Sequence, residues 1–173
     1  ASLVPGAAFV QSSGLLMERL GSSREALERM SAESKERMLR SVLHEAFKKN
    51  ANAPLIIADM HLVVTIRKDG MVTRERLWSP EYLAYLRGAF FLHCPAPLIL
   101  SRRESDMIRT GRQRNMDLET IVDDITINLD DFRDLIQPSV TMATVVENTR
   151  PAHDVACGIL ASLDRVESRT PMF

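Results

Sequence analysis

The stretch Leu55-Ile56-Ile57-Ala58-Asp59-Met60-His61 sets an acid and an imidazole directly after four uncharged residues. A carboxylate leaving an apolar run suits a magnesium-bound water, because Mg²⁺ is usually held through one or two carboxylates plus phosphate oxygens. The same acid could instead cap the turn that follows. His61 could support Asp59, or be a polar side chain satisfied near a sheet edge. A second cluster lies further on: Arg102, Arg103, Arg109, Arg112 and Arg114 fall within 13 positions, with no lysine among them. The guanidinium is permanently charged and forked to match phosphate oxygens, so the cluster reads as a local anion site. A solvated helical face with ion pairs to Glu104 and Asp106 is the competing explanation. No aromatic residue interleaves with these arginines. Single-stranded nucleic acid would find no stacking platform there, which makes it a poor candidate partner.

The chain that must position these groups has 173 residues, 22 basic and 23 acidic side chains and a formal net charge of −1. Any electropositive site is therefore local. A chain of this length buries roughly 70% of the surface that it exposes when unfolded, enough for one core without staples. The two cysteines, Cys94 and Cys157, show no Cys-x-x-Cys or Cys/His ligand spacing. Neither a zinc site nor a secreted disulfide scaffold is indicated, and a reduced cytoplasmic protein is the default. The apolar runs are strand length, short of the roughly 18 residues that suggest a membrane span, so no membrane partner is expected.

No linker, repeat or low-complexity tract divides the sequence, which reads as a single domain over 1–173. Leu15, Leu16 and Leu20 mark a short helix within 8–20 that stops at Gly21, and Ser22 with Glu25 forms a possible capping box. After Ser31, the rows Met38, Val42, Ala46 and Leu39, Leu43, Phe47 predict a long helix with one apolar face. The period then changes. "APLIIAD", "AFFLH" (89–93) and "VTMATVVE" (140–147) read as short strands buried on both faces of a parallel sheet. Between the first two, Asp69-Gly70 marks a hairpin excursion over about 62–78. Ser79-Pro80 predicts a short helix to Arg87, and Pro97 opens another. From Asp117, Leu118, Ile121, Ile125, Leu129, Phe132 and Ile136 recur at three or four until Pro138, and a last helix starts near Pro151. Strands alternating with helices imply right-handed crossovers and an α/β fold, a parallel sheet layered by helices. Ligands of such sheets sit beyond the carboxyl ends of the strands, where Asp59 lies.

The order of a Ser/Arg-rich helical segment, a strand ending in Asp-x-His, a strand followed by Pro and "RRESD", and "R-x-R-x-x-D-L-E-T" resembles archaeal-type adenylate kinases and the wider nucleoside monophosphate kinase group. The resemblance covers roughly residues 3–165. It implies a three-layer, P-loop kinase-like sheet flanked by helices, nucleotide substrates, and ATP and Mg²⁺ as cofactors. Asp59 would orient magnesium through water, with His61 beside it at the substrate. Arg102 and Arg103 would open a lid over about 102–117, to which Arg109, Arg112, Arg114 and Asp117 belong. Arg29, in "ERMSAES", resembles the arginine that grips the acceptor's phosphate, and Asn148 sits where such enzymes approach the donor's adenine. Two features depart from the family. Its Pro-Gly-Leu-Pro element is replaced by "RERLWSPEYL", so the acceptor's identity stays open, and no G-x-x-x-x-G-K-[ST] occurs in the sequence. The opening "ASLVPGAAF" resembles the family's second strand, so the resemblance places strand one, the phosphate loop and the first helix upstream of Ala1. The strands near 55–58 and 89–93 should then not pair with each other. The alternative is a non-catalytic domain without a phosphate cradle that uses its arginine patch to bind nucleotide, RNA or protein. Assembly into a homo-oligomer is compatible with either.

Overall fold

The computed structural model describes residues 3–21, 30–68, 71–77, 79–111 and 114–167. Among them are six strands and five α-helices in mixed α/β order, falling into two compact units, Ala1–Pro80 and Glu81–Phe173. Arg29, Arg112, the Ser22/Glu25 capping box and the Asp69-Gly70 turn lie outside the described residues.

In the first unit β1 (Ala8–Gln11) runs parallel to β2 (Ile56–Asp59), in register from Ala8 opposite Ile56 to Gln11 opposite Asp59. The helix expected within 8–20 is shorter than that range: α1 spans Ser12–Arg19. Phe9 and Val10 favour a pleated conformation, and the backbone bonds to β2 decide the matter for the four residues before Ser12. Helix α2 (Ala32–Lys49) is built as its sequence demands. Ser31 caps it by accepting from the Ser34 N–H at 3.2 Å, with Glu33 in the first turn and Lys48 and Lys49 in the last. Its apolar face supplies the unit's core, in which Leu39 and Leu43 are fully buried beside Val42 and Ala46. The hairpin of β3 (Val63–Lys68) and β4 (Met71–Arg76) pairs antiparallel from Val63–Arg76 to Lys68–Met71. A buried ion pair fastens it to α2, with Lys35 Nζ 2.6 Å from Glu75 Oε2.

In the second unit β5 (Ala89–His93) runs parallel to β6 (Ala143–Glu147), His93 facing Glu147 at the carboxyl end. Residues 140–142 precede the strand instead of extending it, although the Met142 carbonyl still accepts from the Ala89 N–H at 2.8 Å. Gly88 stands where a Cβ would come within 3.2 Å of the Leu163 and Phe90 side chains, so a larger residue there would have to displace them by a few tenths of an ångström. The segment after Ser79 forms a 3-10 turn over Pro80–Tyr85, shorter than the helix expected to reach Arg87. Helix α3 (Ala96–Thr110) has Pro97 in its first turn and ends on Gly111, whose φ of +69° makes it a left-handed C-cap. Asp117 then caps α4 (Leu118–Asp131) by accepting from the Thr120 N–H at 2.8 Å. That helix passes into a π-helical turn, Phe132–Ile136, which carries two buried residues into the core. Phe132 meets Phe91 of β5 with ring centroids 5.6 Å apart. Helix α5 (Ala152–Glu167) closes the unit, with Val155 buried.

The strands are not covered on both faces as expected. Phe9 and Ile57, opposite one another in β1 and β2, are 67% and 46% exposed, and Leu92 of β5 is 49% exposed. Each parallel sheet has two strands among the described residues: β2 pairs with β1 and β5 with β6. A sheet needs a layer on each face to bury apolar residues of both registers.

Candidate functional site

At the carboxyl end of β2, Asp59 is exposed and stands opposite Gln11. Among the described residues no hydrogen bond or ion pair reaches its carboxylate, so the capping role open to it in the sequence is not taken up. His61, two residues on, is exposed as well. The parallel register that brings Gln11 beside Asp59 also sets the buried Ser12 at the start of α1, next to this edge. A free, exposed carboxylate costs nothing in water, whereas a buried one would need partners. It is available to a ligand without losing any bond to the described residues.

Four arginines of the cluster, Arg102, Arg103, Arg109 and Arg114, are engaged. Arg102 of α3 donates from Nη2 to the Asn148 carbonyl at 2.9 Å, and its Nη1 lies 3.5 Å from the buried Cys94 sulfur. Arg103 donates to the Asn115 carbonyl at 2.6 Å. Its partial burial holds its pKa below the usual guanidinium value; the nearby charge of Arg114 adds to this and Asp124 opposes it. An arginine so placed remains a cation at any pH the fold meets. Arg109 and Arg114 share one acid: Asp106 accepts from Arg109 at 2.8 Å and from Arg114 at 3.2 Å. These bonds draw the segment after Gly111 back along α3. Ser101, Arg102, Ser105, Asp106 and Arg109 line an open groove of about 410 Å³ on that helix. Of the expected lid over 102–117, residues 102–110 belong to α3 and the described residues 111 and 114–117 precede α4.

Three residues that sequence reasoning passed over meet Arg102 and Asn148 at the carboxyl end of β5 and β6. His93 Nδ1 lies 3.1 Å from Glu147 Oε1, the Asn148 N–H donates to the His93 carbonyl at 2.7 Å, and Cys94 follows directly. The signal that could have found them is the one that singled out Asp59, a polar residue closing an apolar strand. A fourth feature also went unread. His153 and Cys157, one turn apart on α5, approach within 3.8 Å, but no group of three or more His, Cys, Asp or Glu side chains that could hold a metal ion occurs among the described residues. No helix among the described residues is long and apolar enough to cross a membrane. No protein-family model matches the chain, and no curated protein matches its sequence.

Proposed function

We propose that the chain is part of a phosphotransferase of the nucleoside monophosphate kinase kind, moving the terminal phosphoryl group of ATP or another nucleoside triphosphate to a nucleoside monophosphate or similar small acceptor. The observation that carries this reading is Asp59, an exposed carboxylate with no partner among the described residues at the carboxyl end of a parallel strand. Ligands of parallel sheets sit at that end. The acid fits Mg²⁺ held through water, since phosphate oxygens complete the shell of that ion and a full set of protein ligands is not required. Bound magnesium would neutralise charge on the phosphates during transfer. His61 would support Asp59, and Asn148 would lie against the donor's base. Arg102, Arg103, Arg109 and Arg114 would exchange their present partners for the transferring group and exclude water from it. Arg29 and Arg112 keep their roles by resemblance alone.

The proposed sheet is three-layered, with the phosphate-loop strand at its centre. Each flank of such a sheet is a parallel pair, and β1–β2 and β5–β6 are each a two-stranded parallel sheet among the described residues. The test is an assay of the full natural polypeptide with magnesium-ATP and a panel of nucleoside monophosphates. Magnesium-dependent transfer is expected, and its absence against every acceptor would sink the reading.

A second reading is favoured by the engaged arginines. Arg102, Arg103, Arg109 and Arg114 all bond within their own unit, as a structural or binding face would. A polypeptide that binds nucleotide without transferring phosphate would fit this reading. RNA binding whose affinity falls steeply with salt would identify RNA as the partner.

A further inference from the structure

The parallel pair of the second unit closes on two side chains that hold no place in the phosphoryl transfer proposed above, His93 of β5 and Glu147 of β6. The register sets them opposite each other, and alternation along paired strands puts both on one face. His93 Nδ1 lies 3.1 Å from Glu147 Oε1. An ionised carboxylate only accepts, so Nδ1 carries the hydrogen and, in the neutral ring, Nε2 keeps its lone pair. Nε2 has no hydrogen-bond partner among the described residues. The imidazole is therefore an oriented acceptor, 28% exposed, at the end of a parallel pair where ligands of such sheets sit. Its bond to Glu147 is not what holds the strand ends together. The Asn148 N–H already donates to the His93 carbonyl at 2.7 Å, and a side-chain pair with one member 63% exposed adds little to stability.

The same backbone bond ties His93 to Asn148, the residue that the proposed function sets against the donor's base. Resting on that reading, we propose that His93 selects the base of the donor nucleotide: Nε2 accepts from the 6-amino group of adenine, and Glu147 is a positioning residue that keeps the ring's hydrogen on Nδ1. The 6-position is where an acceptor tells the purines apart. Adenine presents an amino donor there and guanine a carbonyl acceptor. Opposite guanine, Nε2 would meet a second lone pair, and both groups would lose their water without gaining a partner. The site thus favours ATP partly by rejecting GTP.

Calorimetric titration of the full natural polypeptide with ATP, GTP and inosine triphosphate tests this, at about pH 8, above the ordinary imidazole range. Inosine triphosphate carries the 6-carbonyl without guanine's 2-amino group and so isolates that position. ATP should bind about tenfold more tightly than either, the ratio that one net hydrogen bond supplies. His93→Phe keeps a planar ring but no acceptor, and should bring the three affinities together by weakening ATP alone. In Glu147→Gln the amide can donate to Nδ1 and turn Nε2 into a donor, so the preference for ATP should narrow or reverse with the imidazole still in place. A pair that only braces the strand ends would shift all three affinities alike. Circular dichroism reports the folding of each variant, and if His93→Phe does not fold, Glu147→Gln at its exposed position carries the test. Equal affinities in the parent, or a preference for ATP unchanged in the folded variants, would overturn the proposal and leave phosphoryl transfer standing. Binding of none of the three nucleotides would remove the proposal together with the reading on which it rests.

Discussion

At the carboxyl end of β2, Asp59 stands exposed without a partner among the described residues, while at the carboxyl end of β5, His93 is held by Glu147 and Arg102 closes on the carbonyl of Asn148. Both edges follow from the same pattern, a short apolar strand ending in a polar residue and paired in parallel. They differ in what comes next in the chain. After β5 the helix α3 starts within three residues and carries Arg102 back over the strand ends. After β2 the chain leaves in the hairpin, and no basic side chain among the described residues is bonded to the acid. An open carboxylate can take a cation at no loss of protein bonds. A guanidinium already bonded must first give up its partner, and exposed pairs of this kind are worth only about 0–1 kcal/mol each.

The largest effect expected tests what holds the open edge in place. Lys35→Ala leaves Glu75 buried without its cation and should lower the stability of the first unit by about 3–5 kcal/mol, read from chemical denaturation. Replacing both residues by apolar side chains of similar size should recover most of that loss. A single-variant loss below about 1 kcal/mol would mean that the hairpin opens freely to water.

Next is the acid itself. Asp59→Asn in the full polypeptide should leave stability within about 0.5 kcal/mol of the parent, because its exposed carboxylate has no partner among the described residues. It should cut turnover at least tenfold, equivalent to about 1.4 kcal/mol in the barrier. Full turnover in this variant would remove Asp59 from the chemistry and leave the two edges different only in packing.

Smaller effects are expected at the closed edge. Arg102→Ala deletes the bond to the Asn148 carbonyl and should cost about 1 kcal/mol in the second unit, since a net hydrogen bond contributes about that much. Smallest of all, Asp106→Asn should change stability by less than about 1 kcal/mol while freeing Arg109 and Arg114. Phosphate or ATP should bind this variant more tightly in calorimetry, as an internal competitor is gone. Weaker binding would show that Asp106 positions the arginines rather than restraining them.

Local chemistry was legible where neighbours in sequence decide it. A long helix follows Ser31 and an amphipathic one follows Asp117, and the rows through Leu39, Leu43 and Ile121 are buried, as spacing and side-chain type predict. The strands ending at Asp59 and His93 were legible too, because a run of apolar residues between turns has few other conformations. Tertiary structure alone decided the partners. Whether Ala8–Gln11 became strand or helix depended on β2, some 45 residues away, and whether Arg102 faced solvent or the Asn148 carbonyl depended on α3 crossing the end of β6. The approach of His153 to Cys157 is local, yet it became visible only through side-chain distances, since a spacing of four marks a shared helix face without saying that two groups meet. The sequence by itself determined which groups are polar at the strand ends and which helices carry the core, because those follow from periodicity and capping. Only the fold decided that the acid is open and the arginines closed, because bonding between side chains distant in sequence depends on which elements the backbone brings together.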